Sequence, residues 1–140
     1  MDRHATAHWE GSLKAGKGTV STESGVLDAN PYSFGTRFEE EKGTNPEELI
    51  GAAHAGCFSM ALSMILGEDG YEPTSIDTQA AVMLSKTDEG FEISKIHLKV
   101  KASISGISED DFKKAAEAAK VNCPVSKALN AEITMEAQLV

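Results

Sequence analysis

The stretch Leu49 to Leu66, LIGAAHAGCFSMALSMIL, runs for 18 residues without a formal charge and constrains the fold more than any other part of the chain. A segment of that length and character either crosses a bilayer or is buried in protein. Here it holds His54, Ser59 and Ser63, is rich in Ala and Gly, and stands alone among amphipathic segments, so a buried helix is expected and no membrane partner. Its start is written in the preceding residues. Asn45 can cap the helix, Pro46 fits the first helical position, Glu48 stands at capping-box spacing, and Glu47 and Glu48 suit the positive end of the helix dipole. The helix should reach about Gly67. Apolar nearly all the way round, it needs cover on every side, and a 140-residue chain has little material for that. A homodimer with two-fold symmetry is expected to supply the rest.

Around this helix the pattern is one of strands and amphipathic helices. His4–Glu10 and Gly18–Ser24 read as short strands. Tyr32–Glu39, YSFGTRFE, reads as a third after an Asn30-Pro31 turn, making an antiparallel meander. Ser75–Thr87 is a strand, and Asp88-Glu89-Gly90 is a hairpin turn into FEISKIHLKVKASIS. There Phe91 and Ile93, then Ile96, Leu98, Val100, Ala102 and Ile104, keep a period of two with a slip near Ser94, the mark of a bulge or bend. Ser108–Lys120 opens with a Ser cap and is an amphipathic helix. Cys123-Pro124 opens a short helix to about Asn130, and Ala131–Val140 closes as a strand. The order is that of an α+β fold in a single domain over residues 1–140, without the βαβ rhythm or the Gly-rich motif of a nucleotide-binding sheet.

A net charge of −9 repels nucleic acid and anionic membranes. The amino-terminal MDRHATAHWEG lacks the apolar core of a secretory signal, which points to a reducing cytoplasm. There, two cysteines are more often free, catalytic or metal-bound than a structural disulfide. Their separation of 66 residues fits neither a C-x-x-C motif nor a zinc knuckle. His4 and His8, on one strand face, stand about 13 Å apart, too far to share an ion. No metal and no resident cofactor are expected.

Chemistry therefore centres on the thiols. Cys57 in mid-helix reads equally as a small core residue or as a nucleophile, and to ionise it needs an outside cation. His54, one turn before it, lies on the same face and makes a Cys57-His54 acyl-transfer dyad conceivable, although a satisfied or partly exposed helical His is the ordinary reading. Cys123, at or just before a helix start, is by position alone the better placed to become a thiolate. Arg37, the one cation before three consecutive glutamates, is either a surface ion-pair residue or a permanent cation that can hold a thiolate or fork onto Glu47.

Taken together, TNPEELIGAAHAGCFSMALS, the upstream SFGTRFEE and the downstream NCPVSKAL resemble the osmotically inducible protein C (OsmC) family, a sister of the organic hydroperoxide resistance proteins, over essentially the whole chain. The resemblance implies antiparallel sheets around a long buried central helix, in an intertwined homodimer with active sites at the subunit boundary. It also implies a thiol-dependent peroxidase that reduces organic hydroperoxides to alcohols and is recharged by an external dithiol, such as a lipoylated protein. Cys57 is then the peroxidatic cysteine and Cys123 the resolving one, reversing the order that position alone suggests, while Arg37 activates Cys57 and Glu47 orients Arg37. Phe34, Phe58 and Met60 are expected to supply an apolar pocket. Glu47 and Cys57 are ten residues apart on one helix, hence about 15 Å along its axis, so either Arg37 bridges much of the gap or, as is favoured, Glu47 serves the site of the partner chain. The small residues Gly51, Ala52, Ala53, Ala55 and Gly56 are expected to let another helix approach. A dimeric binding protein with idle thiols is the reading from a different class.

Overall fold

The computed structural model describes all residues, Met1–Val140. Contacts group them into two compact units, Met1–Leu49 and Ile50–Val140.

In the first unit, β1 (Ala5–Glu10), β2 (Lys17–Thr22) and β3 (Asn30–Tyr32) form the expected antiparallel meander in the order β1-β2-β3. Its register pairs Trp9 with Gly18 and Gly18 with Tyr32. Gly18 is required there, because a Cβ would run into the Tyr32 ring, the His8 carbonyl and the Trp9 ring. Without it the two rings pack with centroids 5.4 Å apart. Two expectations are corrected in this region. Asn30 and Pro31 belong to strand β3 rather than to a turn, and the segment expected as a strand over Tyr32–Glu39 is mostly a short helix, α1 (Phe34–Phe38). The cause is a reciprocal cap. Thr36 N–H donates to Ser33 Oγ at 3.1 Å and Ser33 N–H donates to Thr36 Oγ1 at 2.8 Å, a local arrangement that outweighs the alternation of YSFGTRFE.

The long apolar helix is α2 (Pro46–Glu68, 23 residues). Glu48 N–H donates to Asn45 Oδ1 at 2.9 Å, which makes Asn45 the cap as expected. The reciprocal half is absent, because the Glu48 carboxylate accepts the Thr44 hydroxyl at 2.7 Å instead. By length and composition alone α2 is apolar enough to cross a membrane, yet 28% of its most apolar window is buried inside the fold. The buried positions Gly51, His54, Phe58, Leu62 and Leu66 recur every three or four residues and form one stripe. Met60 and Met64, at 77% and 61% exposure, lie off it.

In the second unit, β4 (Pro73–Thr87) and β5 (Gly90–Ile104) make a long hairpin through the expected turn. Register shifts between Met83 and Leu84, which pair with Lys95 and Ile93. Ser94 is the extra residue, as the slip in periodicity foretold, and its hydroxyl bonds Ser85 Oγ at 2.6 Å. Two helices follow, α3 (Glu109–Asn122), capped by the Ser108 hydroxyl, and α4 (Pro124–Ala128). The chain returns as β6 (Glu132–Leu139), which pairs with β5 in parallel, Ile96 beside Ile133. The second sheet is therefore mixed rather than antiparallel throughout. Parallel pairing requires a crossover connection, and here α3 and α4 form it.

The α2 stripe packs into one core with Ile96, Leu98, Val100 and Ala102 of β5 and Phe112, Ala116 and Ala119 of α3. Gly51 lies against β4, where a Cβ would stand 3.2 Å from the Ala80 carbonyl oxygen, so its lack of a side chain serves the sheet of its own chain. Gly56 faces open space and leaves room for another surface. Phe58 is fully buried and belongs to the core, not to a pocket. Leu62→Ala, at a position with no exposed surface, is expected to destabilise the fold by about 2–5 kcal/mol, read by urea denaturation.

Candidate functional site

The four residues singled out in the sequence fall into two clusters, one in each unit. In the first, α1 and the first turn of α2 bring Arg37 onto Glu47. Arg37 Nη2 donates to Glu47 Oε1 at 2.6 Å, while Nε reaches Oε1 at 3.1 Å and Oε2 at 3.2 Å. The fork fixes the plane of the guanidinium as well as its position. Glu47 is nearly buried, whereas the Arg37 side chain keeps 35% of its surface exposed, so the cation is held from one side and open on the other. Phe38 lies under it, with Arg37 Cζ 5.3 Å from the ring centroid. Phe34 stacks on Phe38 at 4.8 Å. These rings, with Trp9, Leu13, Tyr32 and Pro46, line a cavity of about 190 Å³ beside Arg37. Phe34 thus meets its expected place on an apolar pocket, while Met60 stands on the exposed face of α2.

In the second cluster the two cysteines, 66 residues apart in the chain, meet as free thiols, Cys57 partly exposed and Cys123 fully buried. Cys57 projects from the middle of α2, and Cys123 stands at the junction where α3 ends and α4 begins. Burial pushes the Cys57 thiol up, and the hydrogen bond that its S–H gives to Cys123 pushes it further, against a smaller pull from the Val125 N–H. Cys123 goes the other way. Burial raises it, but the hydrogen bond from Cys57, the backbone N–H and hydroxyl of Ser126, and the Val125 N–H together bring it below the ordinary cysteine value. The backbone groups act at a distance, without closing a regular capping bond on the sulfur. The two thiols thus act on one another, with the proton favoured on Cys57 and the negative charge on Cys123. Position alone points to Cys123 as the more acidic thiol through the N–H groups at a helix start, and these contribute here after the hydrogen bond from Cys57.

His54 does not serve Cys57. It is fully buried and joins Ser126 across the core, Nε2 to Oγ, at 2.8 Å. Burial lowers its pKa and keeps the imidazole neutral. Ser126 is the residue that reading the sequence missed, although the spacing in Cys123-Pro124-Val125-Ser126 is that of a cap and its third helical residue. His97 is a strand-face residue as expected, its Nδ1 2.7 Å from the Thr134 hydroxyl. The residues hold no cluster of three or more His, Cys, Asp or Glu that could take a metal ion.

The buried imidazole makes stability depend on pH. Below the ordinary histidine value of 6.5 the unfolded chain takes up a proton at His54 that the folded chain resists. The unfolded state then binds more protons, and stability falls as pH drops. Urea denaturation at pH 7.5 and 5.5 is expected to show a smaller loss for His54→Gln than for the parent chain.

The OsmC-like protein family model matches residues 39–138. The chain is 64% identical over 139 residues to Peroxiredoxin OsmC of Escherichia coli K12, covering 99% of this chain and 97% of the relative. It is 30% identical over 123 residues to the organic hydroperoxide resistance protein OhrB of Bacillus subtilis, covering 87% and 88%. The crystal structure of that OhrB aligns with a TM-score of 0.71 at 25% identity, over 96% of this chain and 97% of the other. An OsmC-like protein of Vibrio cholerae aligns at 0.77 over 98% and 99%, and at 19% identity that likeness speaks for the fold alone. The matched family model and the identity over nearly the whole chain agree with the fold, and the chain belongs to the OsmC family.

Proposed function

We infer that this chain is a thiol peroxidase that reduces organic hydroperoxides to alcohols in defence against hydroperoxide stress. The carrying observation is that one partly exposed and one buried free thiol, from distant parts of the chain, act on one another. A peroxide must reach the sulfur that it oxidises, which favours Cys57 as the peroxidatic cysteine. Its thiolate attacks the distal oxygen of R–O–OH, the O–O bond breaks, and RO⁻ leaves and takes a proton to become the alcohol. Cys57 is left as a sulfenic acid. Cys123, already in contact, attacks that sulfur, the S–S bond forms, the S–O bond breaks and water departs. An external dithiol, of the lipoyl type or another, then reduces the disulfide by exchange.

Because the bare thiol pair favours charge on Cys123, Cys57 needs a cation to become the attacking thiolate. Arg37, fixed by Glu47 yet open on one side, is the proposed source, and the apolar cavity beside it takes the organic group of the peroxide. Ten residues of continuous helix separate Glu47 from Cys57, about 15 Å of rise. We therefore propose that the Arg37–Glu47 pair of one subunit completes the Cys57 site of the other. A second copy seated on the exposed face of α2 would also cover Met60, Met64 and the open flank at Gly56. The working compartment proposed is a reducing cytoplasm, where a disulfide is reversible.

With cumene hydroperoxide and a dithiol, the chain is expected to consume peroxide catalytically. Cys57→Ser is expected to abolish this, and undiminished turnover in that variant would sink the assignment. Cys123→Ser is expected to give one turnover, or slow cycling by direct reduction of the sulfenic acid, and Arg37→Ala to slow peroxide reduction about tenfold or more. Sedimentation is expected to give twice the 14.9 kDa of one chain, and Met60→Glu with Met64→Glu to lower the dimer content and the activity together.

A further inference from the structure

His54 and Ser126 lie behind the thiols and have no part in the peroxide chemistry described above. Their contact, 2.8 Å between Nε2 and Oγ, joins a fully buried residue to one only 8% exposed. The other imidazole nitrogen, Nδ1, is buried without any partner. That vacancy decides where the proton of the neutral ring sits. A buried N–H without an acceptor forfeits a donor's full hydration, and orphaned donors are rarer in folded proteins than under-used acceptors. Nδ1 is therefore the bare nitrogen and Nε2 carries the proton. Nε2–H then donates to Ser126 Oγ, which leaves the serine's own proton free to point elsewhere. Ser126 is the third residue of α4 and Cys123 its cap, about one helical turn apart. The Ser126 hydroxyl acts on the Cys123 thiol in the sense of a hydrogen-bond donor that favours its ionised form, and Cys57 is the one titratable group that acts on that thiol.

We propose that His54 and Ser126 form a one-way hydrogen-bond relay, His54 Nε2–H to Ser126 Oγ and Ser126 O–H to Cys123 Sγ, which makes both of them positioning residues for the resolving thiol. The relay rests on the reading of Cys57 and Cys123 as a peroxidase pair and adds the group that tunes its second half. When Cys123 attacks the Cys57 sulfenic acid, its thiol proton leaves with the departing hydroxyl as water. The charge that develops on Cys123 as the proton departs meets a hydroxyl already aimed at it. On the return path one thiolate of the external dithiol attacks the more accessible Cys57 sulfur and Cys123 leaves as a thiolate. The second dithiol sulfur then displaces Cys57, so the protein disulfide gains two electrons and the dithiol closes to its own disulfide. The same donor thus assists Cys123 as nucleophile and as leaving group.

Rapid mixing of the reduced protein with one equivalent of cumene hydroperoxide separates the steps, because cumyl alcohol release times the first and loss of free thiols times the second. Ser126→Ala is expected to slow disulfide formation relative to alcohol release by about threefold at neutral pH, since one pKa unit on Cys123 removes about tenfold in thiolate and returns about threefold in nucleophilicity. It should also move the pH midpoint of that step upward. Ser126→Thr, which keeps the hydroxyl, is expected to restore both. An unchanged midpoint and an unchanged ratio of the two rates in Ser126→Ala would overturn the relay while the parent protein still turned over. If the parent consumed no peroxide, the peroxidase reading would fail instead. Two-bond nitrogen–proton NMR on the parent protein, with His54 identified through His54→Gln, tests the relay without reference to activity or to the folding of a serine variant. A proton on Nε2 is expected. A proton on Nδ1 would turn the Ser126 hydroxyl back toward His54 and refute the proposal.

Discussion

Burial of the α2 stripe is the constraint on which the rest depends. Gly51, His54, Phe58, Leu62 and Leu66 face one way, and a helix of this length can satisfy them only against a broad apolar surface. Strand β5 provides it by alternation, with Ile96, Leu98, Val100 and Ala102 all directed inward, and α3 closes the other side with Phe112, Ala116 and Ala119. Cys57 lies at the margin of this stripe, packed against the core yet still partly exposed. Half-burial is what the proposed chemistry asks of it. A thiol in open water would offer no selectivity, and one at the position of Phe58 would meet no substrate.

In the proposed site the two clusters divide the labour along physical lines. Permanent charge is kept near solvent, where Arg37 can hold it at modest cost and Glu47 fixes its direction. The two thiols and the proposed hydrogen-bond relay of Ser126 and His54 lie in or beside the core, where hydrogen bonds are strong because water does not compete. Neutral histidine suits that setting, since a charged imidazole there would place a cation beside the resolving thiol and inside an apolar core.

Much of this frame was legible in the sequence because it is written in local chemistry. Asn45 and Ser108 announce their helices as caps, the Asp88-Glu89-Gly90 turn announces its hairpin, and the broken alternation at Ser94 marks a bulge that the strand register bears out. What was not legible depends on partners distant in the chain or on competition between equal local signals. YSFGTRFE has both a strand's alternation and a capping box, and only the bonds between Ser33 and Thr36 show which prevails. The parallel pairing of β6 leaves no trace in its own residues. The meeting of Cys57 with Cys123 came from a family resemblance and not from spacing, and the role of Ser126 could be seen only once His54 was found across the core from it, 72 residues away.

The crossover also has a consequence for how the protein matures. Cys123 rides on it between β5 and β6, so the two thiols become neighbours only once α3 and α4 have docked onto the core that α2 and β5 build. Non-local pairings of this kind form late, since chain closure must be completed before any contact rewards it. Until then Cys57 and Cys123 are ordinary thiols on separate pieces of chain. If Cys57 and Cys123 act as proposed, redox competence arrives as a late event of folding, and a chain oxidised before that point would carry a sulfenic acid with no internal thiol to resolve it.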